Sequence, residues 1–378
     1  MKVLTIVGTR PEIIRLARTI IRLDESFDHV VVHTGQNYDY NLNEVFFEDL
    51  GLRKPDHFLN VDTSSLGHVL GETLIKTEEV LLAEKPDAVL VLGDTNSCIA
   101  AVMAKRMHIP VYHMEAGNRC FDENVPEETN RRLVDHVADF NLVYTEHARR
   151  NLLAEGIHPR RILLTGSPMR EVLNHYRAQI DASTVIDSLG LTERGYFLVS
   201  AHREENVDSL TRLGELLACL EAVAEKWKVP VLVSTHPRTR KRIEAEGLTA
   251  TGDIRFHEPF GFHDYNRLQI GARCVLSDSG TISEESSLLG FPAITLRESI
   301  ERPEALDSGA IVMTGLNAED VVDAISLQVE RNSEKRTLPA GYEIDDTSAR
   351  VARFILSTAR RHATWAGIRK RDSEGPDK

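Results

Sequence analysis

Three carboxylates stand where chemistry is possible. Asp94 follows the apolar run AVLVLG, Glu115 follows PVYHM, and Glu127 opens the helical stretch PEETNRRLVDHVADF behind Pro126. Taken singly, each is an ordinary cap or loop charge. Acids gathered beside an anion site repel one another and shift their proton affinities, as general acid–base work requires. Two segments suggest that anion. In SDSGTISEES a strand ends and Ser279-Gly280-Thr281 opens a helix, offering unpaired backbone N–H groups and a positive helix end. Glu284 and Glu285 then stand in the first turns, where a carboxylate can accept from ribose hydroxyls. A plain N-cap by Asp278 or Ser279, with glutamates matched to the dipole, explains the same residues equally well. In GTRPE, Pro11 suits the first helical position and Arg10 stands just before it. Arginine opposes the dipole there, which favours service to a diphosphate over a solvated surface charge. His202 and His236 end strands of the second half, where each can donate to phosphate or serve structurally. His113, Glu115 and Asp122 lack the spacing of a metal motif such as HExxH, so no metal is expected. With no GxGxxG and no GxxxxGK[ST], neither a dinucleotide site nor a P-loop is supported, and no organic cofactor is implied.

Such residues need strands behind them. The runs KVLTIV, HVVVH, AVLVLG, PVYHM and NLVYT alternate with amphipathic helical stretches, and a second series follows: YFLVSAH, PVLVSTH, IRFHEP, RCVLSDSG, PAITL and AIVM. Apolar runs this continuous fit strands covered on both faces, hence parallel sheets with helical crossovers. The expected fold is α/β, with two Rossmann-like domains in tandem. The first runs over 1–168, ending after ILLTGSP, and the second over 169–346. The last helix, about 347–361, is placed to pack back on the first domain. In open parallel sheets ligands bind beyond the carboxyl ends of the strands. Gly8–Glu12, Gly93–Thr95, Glu115–Gly117, His202-Arg203, His236–Arg238 and Asp278–Gly280 all fall there, so polar groups from both halves can converge on one cleft.

The bulk numbers agree with this picture. A chain of 378 residues exceeds one ordinary core, and 42% hydrophobic with 27% charged residues is a globular mix. A net charge of −13 argues against nucleic acid or anionic membrane as a partner, though local arginines can still bind a small anion. The four cysteines, Cys98, Cys120, Cys219 and Cys274, form no CxxC pair and read as reduced thiols of a cytoplasmic protein. No signal peptide or membrane span is apparent, and RKRDSEGPDK reads as a frayed tail.

With these residues assembled, the sequence resembles the non-hydrolysing UDP-N-acetylglucosamine 2-epimerases. GTRPE, HTGQ, GDT, MEAGNR, VPEETNR, TGSP, AHREEN, DSGTISEES and ERPEAL occur in that order over nearly the whole chain. The resemblance implies a glycosyltransferase-B-like pair of domains, a UDP-sugar ligand and a homodimer. It also implies C2 epimerisation by UDP elimination and re-addition through a 2-acetamidoglycal. Residue by residue, it makes Asp94, Glu115 and Glu127 the acid–base group, with His202 and Arg10 on the diphosphate. Ser279, Gly280 and Thr281 would take phosphate and Glu285 the ribose. Arg15, Arg119, Arg131, His236 and Arg302 complete the substrate-binding set.

Departures from the family pattern bear on the sugar. GTRPExIK has Arg15 in place of lysine, which keeps charge but changes geometry. GHRREN reads AHREEN, with Ala201 and Glu204, and DSGGxQEE reads DSGTISEE, with Thr281 and Ser283. The loop NRCFDENVPEE is shorter than the common form. NYDYNLNEVF after Gln36 replaces the QHR-type sequence of the family's allosteric site, so the resemblance does not extend to that site. The set is similar to the subgroup that finishes UDP-N-acetyl-L-fucosamine from its L-talo epimer for surface polysaccharides. The gluco/manno pair is the alternative substrate. A hydrolysing epimerase and a glycosyltransferase-B-type transferase are the alternative activities.

Overall fold

The computed structural model describes residues 1–35, 47–201, 206, 209–235, 242, 251–330 and 337–369. The expectations for His202, His236, Glu204 and the stretch after Gln36 concern residues outside these ranges.

Seven strands form one sheet: β1 (Lys2–Val7), β2 (Asp28–His33), β3 (His57–Phe58), β4 (Ala88–Leu92), β5 (Val111–Met114), β6 (Phe140–Val143) and β7 (Ile162–Leu164). Their order is β3-β2-β1-β4-β5-β6-β7, and every neighbouring pair is parallel. Six strands form a second sheet: β8 (Phe197–Ser200), β9 (Val231–Ser234), β10 (Ile254–His257), β11 (Cys274–Ser277), β12 (Ala293–Thr295) and β13 (Val312–Met313). It runs β10-β9-β8-β11-β12-β13, again all parallel. The two-sheet α/β reading of the sequence therefore holds. β3 was not legible in the sequence, because two residues carry no periodicity.

The apolar runs became central strands for the expected reason. All five residues of AVLVL are at most 2% exposed, as a strand covered by helices on both faces must be. Alternate residues sort to opposite faces: Leu4, Ile6, Val89 and Val91 share one core with Ala100, Ala101 and Ala104. In the second sheet Phe197, Val199, Val231, Val233, Cys274 and Leu276 pack on Leu213, Leu217 and Leu220.

The chain folds into two compact units. One contains Met1–Gly117, Glu123–Pro168 and Asp346–Lys378; the other contains Asn118–Asp122 and Met169–Asp345. The helix Thr347–Trp365 belongs to the first unit. Its buried residues Thr347, Ser348, Val351, Ala352, Ile355, Thr358, Ala359 and His362 form one stripe at helical spacing. That stripe is anchored by Tyr112 Oη to Thr358 Oγ1 (2.6 Å), by His362 Nε2 to Asp139 Oδ1 (2.7 Å) and by Phe354 edge-on to Phe140.

In each sheet the chain adds strands on one side of its first strand and then crosses to the other side. The switch falls between β1 and β4 in one sheet and between β8 and β11 in the other. Ligand crevices form at such points, beyond the strand ends. Among the described residues no helix is long and apolar enough to cross a membrane.

Candidate active site

In the first unit, β1 ends at Val7 and the chain turns through Gly8 and Thr9 into the helix Arg10–Ser26. Thr9 is the N-cap, with extended φ −134° and ψ 159°, and Glu12 completes a capping box. Arg10 is the first helical residue and is half-buried. Arg15 lies on the buried face of the same helix, and its guanidinium pairs with the Glu115 carboxylate. Both side chains are at most 10% exposed. The helix that follows β1 thus fixes the acid that follows β5.

Glu115 has φ 65°, a left-handed conformation that non-glycine residues seldom adopt and that concentrates at functional sites. Its surroundings over-determine it. The next strand end supplies Gly93, also left-handed at φ 71°, and a Cβ there would lie 3.7 Å from Glu115 Oε2. Beneath the turn, His113 is fully buried, with Nε2 2.7 Å from the Gly93 carbonyl and Nδ1 2.9 Å from Asp135 Oδ1. Asp135 in turn accepts the Gly117 N–H at 3.2 and 3.1 Å. Gly117 has φ 82°, and a Cβ there would come within 2.4 Å of the Ala148 carbonyl oxygen, so glycine is required.

Asp94 leaves β4 and is held by Arg131 from the helix Pro126–Val137. Both Nε (3.0 Å) and Nη2 of Arg131 donate to Asp94 Oδ2, while Nη1 donates to Glu128 Oε2 at 2.9 Å. Asn130 Nδ2 donates to the Asp94 main-chain carbonyl at 2.9 Å. Charge-assisted bonds of this kind orient an acid more firmly than neutral ones. The Asp94 side chain is 24% exposed, so it is oriented without being sealed. Glu127 is half-buried in the first turn of the same helix. Its neighbour Glu128, which the motif reading passed over, carries the ion pairs to Arg131 and Arg132.

In the second unit, β11 runs into Asp278-Ser279-Gly280-Thr281 and the helix Ile282–Leu289. Asp278 is buried and accepts from Asn206 Nδ2 at 3.1 Å. Ser279 and Thr281 hydroxyls lie 2.9 Å apart and flank Gly280. A Cβ on Gly280 would meet nothing closer than 3.9 Å, so the protein's own packing does not demand glycine there. Glu285 accepts from Gln269 Nε2 at 2.6 Å. Arg302 is buried, donates to the Gly280 carbonyl, and pairs with Glu284 at 2.8 Å. Its guanidinium therefore shapes the turn that precedes the helix. Arg119 lies in the segment Asn118–Asp122, buried, with Nη1 donating to the Asn118 carbonyl at 2.7 Å.

Two further features escaped the sequence reading. Glu12 was read only as part of GTRPE, although Thr9-x-x-Glu12 is a capping-box signature. Its carboxyl is 1% exposed and takes hydrogen bonds from both neighbouring loops. Burial pushes this carboxyl above the usual range, opposed by hydrogen bonds from Ser97, Thr95, Gly8 and Thr9. The His113–Asp135 contact had no local signal, because its partners are 22 residues apart.

The arrangement provides two arginine-held acids at the ends of adjacent strands, and separately a glycine-bearing turn into a helix start. The former suits proton transfer and the latter an anion. Comparison with known proteins identifies the family. The profile of the UDP-N-acetylglucosamine 2-epimerase family matches residues 20–356. A solved UDP-N-acetylglucosamine 2-epimerase from Rickettsia bellii is 44% identical, with a TM-score of 0.91 over 98% of this chain and 100% of that one. The Methanocaldococcus jannaschii UDP-GlcNAc 2-epimerase, solved in complex with UDP-GlcNAc and UDP, is 35% identical with a TM-score of 0.88, covering 94% and 100%. The UDP-2,3-diacetamido-2,3-dideoxy-D-glucuronate 2-epimerase of Pseudomonas aeruginosa is 36% identical, covering 94% of this chain and 99% of the relative.

Proposed function

This chain belongs to the UDP-N-acetylglucosamine 2-epimerase family, and from that premise we propose that it inverts C2 of a UDP-N-acetylhexosamine. The observation that carries the reading is the pair of strand-end acids, each gripped by an arginine: Glu115 by Arg15 and Asp94 by Arg131.

The C2 proton has no adjacent carbonyl, so simple deprotonation would leave an unstabilised carbanion. Elimination avoids this. A base takes the C2 proton while the C1–O bond breaks, giving a 2-acetamidoglycal and UDP. Protonation of C2 on the other face, with return of UDP oxygen to C1, gives the epimer and restores every atom. Asp94, Glu115 and Glu127 are the proposed acid–base residues, and His202 is proposed to act with Arg10 on the diphosphate. Arg10 and the Ser279-Gly280-Thr281 turn take the leaving diphosphate, whose growing charge is worth roughly 3–4 kcal/mol per preorganised donor. Arg15 and Arg131 orient the acids. Glu285 takes the ribose, Arg302 holds the Gly280 turn, and Arg119 and His236 complete the binding set.

For the sugar, the motifs HMEAGNRCFDENVPEETNR and SAHREENVD support UDP-N-acetyl-L-talosamine and UDP-N-acetyl-L-fucosamine, for surface-polysaccharide precursors. The gluco/manno pair is the second reading, supported by the names of the Rickettsia and Methanocaldococcus relatives. The reading extends to a cytoplasmic homodimer. Four free thiols support the compartment, and the family resemblance supports the dimer. The test is to incubate the protein with each UDP-sugar and identify products by NMR, with free UDP measured alongside. Faster interconversion of the L pair supports the first reading, and faster gluco/manno turnover supports the second. UDP released in step with sugar would establish the hydrolysing alternative, and turnover only with an acceptor would establish a transferase.

A further inference from the structure

We propose that Glu12 is a positioning residue that ties the loop carrying Asp94 to the Gly8-Thr9 turn that leads into Arg10, across the crevice at the sheet's switch point. β1 and β4 are hydrogen-bonded neighbours, with Val3 opposite Ala88 and Thr5 opposite Leu90. Beyond the strand ends no ladder continues, because the two crossovers depart in opposite directions. Glu12 fills that gap. Its Oε2 accepts the N–H of Gly8 at 2.6 Å, the N–H of Thr9 at 2.7 Å and the Thr9 hydroxyl at 3.2 Å. Its Oε1 accepts the Thr95 hydroxyl at 2.7 Å and the Ser97 hydroxyl. One carboxylate oxygen thus serves the first loop and the other serves the second.

The arrangement is unsuited to proton transfer with a ligand. Both oxygens are committed to protein donors, and the residue is 1% exposed. It is suited to setting distance. Arg10 is two residues before Glu12, and Asp94 immediately precedes Thr95. A displacement of either loop would stretch charge-assisted hydrogen bonds, the strongest kind available to fix geometry. The near-attack geometry that elimination needs is sensitive to shifts of about 1 Å, which can cost roughly a hundredfold in rate.

This inference rests on the C2-epimerase reading for its kinetic readout, so the experiment has two arms. The double variant Thr95→Val with Ser97→Ala cuts the Oε1 link and leaves the Gly8 and Thr9 cap intact. In the first arm, hydrogen–deuterium exchange of unliganded protein should quicken in the segment 93–99 by at least about tenfold, since both charge-assisted hydrogen bonds to Oε1 are lost. Unchanged protection there overturns the proposal whatever the protein catalyses. In the second arm, kcat for C2 proton exchange should fall at least about tenfold with KM and UDP affinity within about twofold. Unchanged kcat, or UDP affinity lost in parallel, overturns it. Glu12→Gln should retain most of kcat, since its amide can donate to the two hydroxyls while its oxygen accepts the backbone N–H groups. Loss as large as in the double variant would contradict that account. Absence of C2 exchange in the parent protein would instead refute the epimerase reading, with the first arm still deciding the role of Glu12.

Discussion

Gly117→Ala should destabilise the first unit far more than Gly156→Ala, although both glycines are left-handed. Their φ values are 82° and 84°, so the backbone penalty for alanine is nearly the same, about 1–2 kcal/mol. The surroundings differ. A Cβ on Gly156 would meet nothing within 4 Å, whereas one on Gly117 would lie 2.4 Å from the Ala148 carbonyl oxygen and 3.0 Å from Leu152 Cγ. Ala148 and Leu152 are buried on the helix Glu146–Ala154, in a cluster with Ala116, Val143 and Ile157. That helix cannot withdraw without opening the cluster, and overpacking of this kind adds about 1–3 kcal/mol. The gap between the variants is then about 2 kcal/mol, or roughly 4–8 °C in Tm for a unit of this size. Thermal denaturation followed by circular dichroism measures it. The Gly117 turn also carries Glu115 and the Asp135 hydrogen bonds, so C2 exchange should fall in Gly117→Ala and persist in Gly156→Ala. Equal Tm losses would refute the steric reasoning.

Two further outcomes are expected. Arg15→Ala removes the guanidinium from a buried carboxylate and should cost about 3 kcal/mol by denaturant titration, with Arg15→Lys recovering a substantial part because the charge is kept. His33 should make stability fall in mild acid. Burial holds its imidazole down at about 4, against 6.5 in the unfolded chain, so between those values the unfolded chain binds a proton that the folded one does not. The contribution is complete above pH 6.5 and is lost as pH falls towards 4, amounting to about 3 kcal/mol. Urea midpoints at pH 7 and pH 4.5 should differ less in His33→Asn, which keeps an acceptor for the Gly35 N–H bonded to His33 Nδ1 at 2.9 Å.

Much of this was legible in the sequence, and the limits are physical. Long β-branched runs such as AVLVL announce buried parallel strands because both faces must be apolar. Polar residues that interrupt such runs mark strand ends, which is how Asp94 and Glu115 were found. β3 was invisible because two residues have no period. The left-handed turn at Glu115 was hidden because glutamate does not advertise positive φ; only the flanking Gly117 hinted at it. The partners of the acids were beyond reach, since Arg15 and Glu115 lie 100 positions apart and meet only through the fold. The partners of Arg302 were equally out of reach: only the resemblance put it in the substrate-binding set, and in the folded unit its guanidinium engages Gly280 and Glu284.

The most direct test of C2 inversion by elimination is the fate of the C2 hydrogen. The protein, incubated in deuterated water with members of the L-talo/L-fuco and gluco/manno UDP-sugar pairs, should return its substrate pair carrying one deuterium at C2, with free UDP remaining a minor species. Retention of protium at C2 in every UDP-N-acetylhexosamine tested would contradict the account.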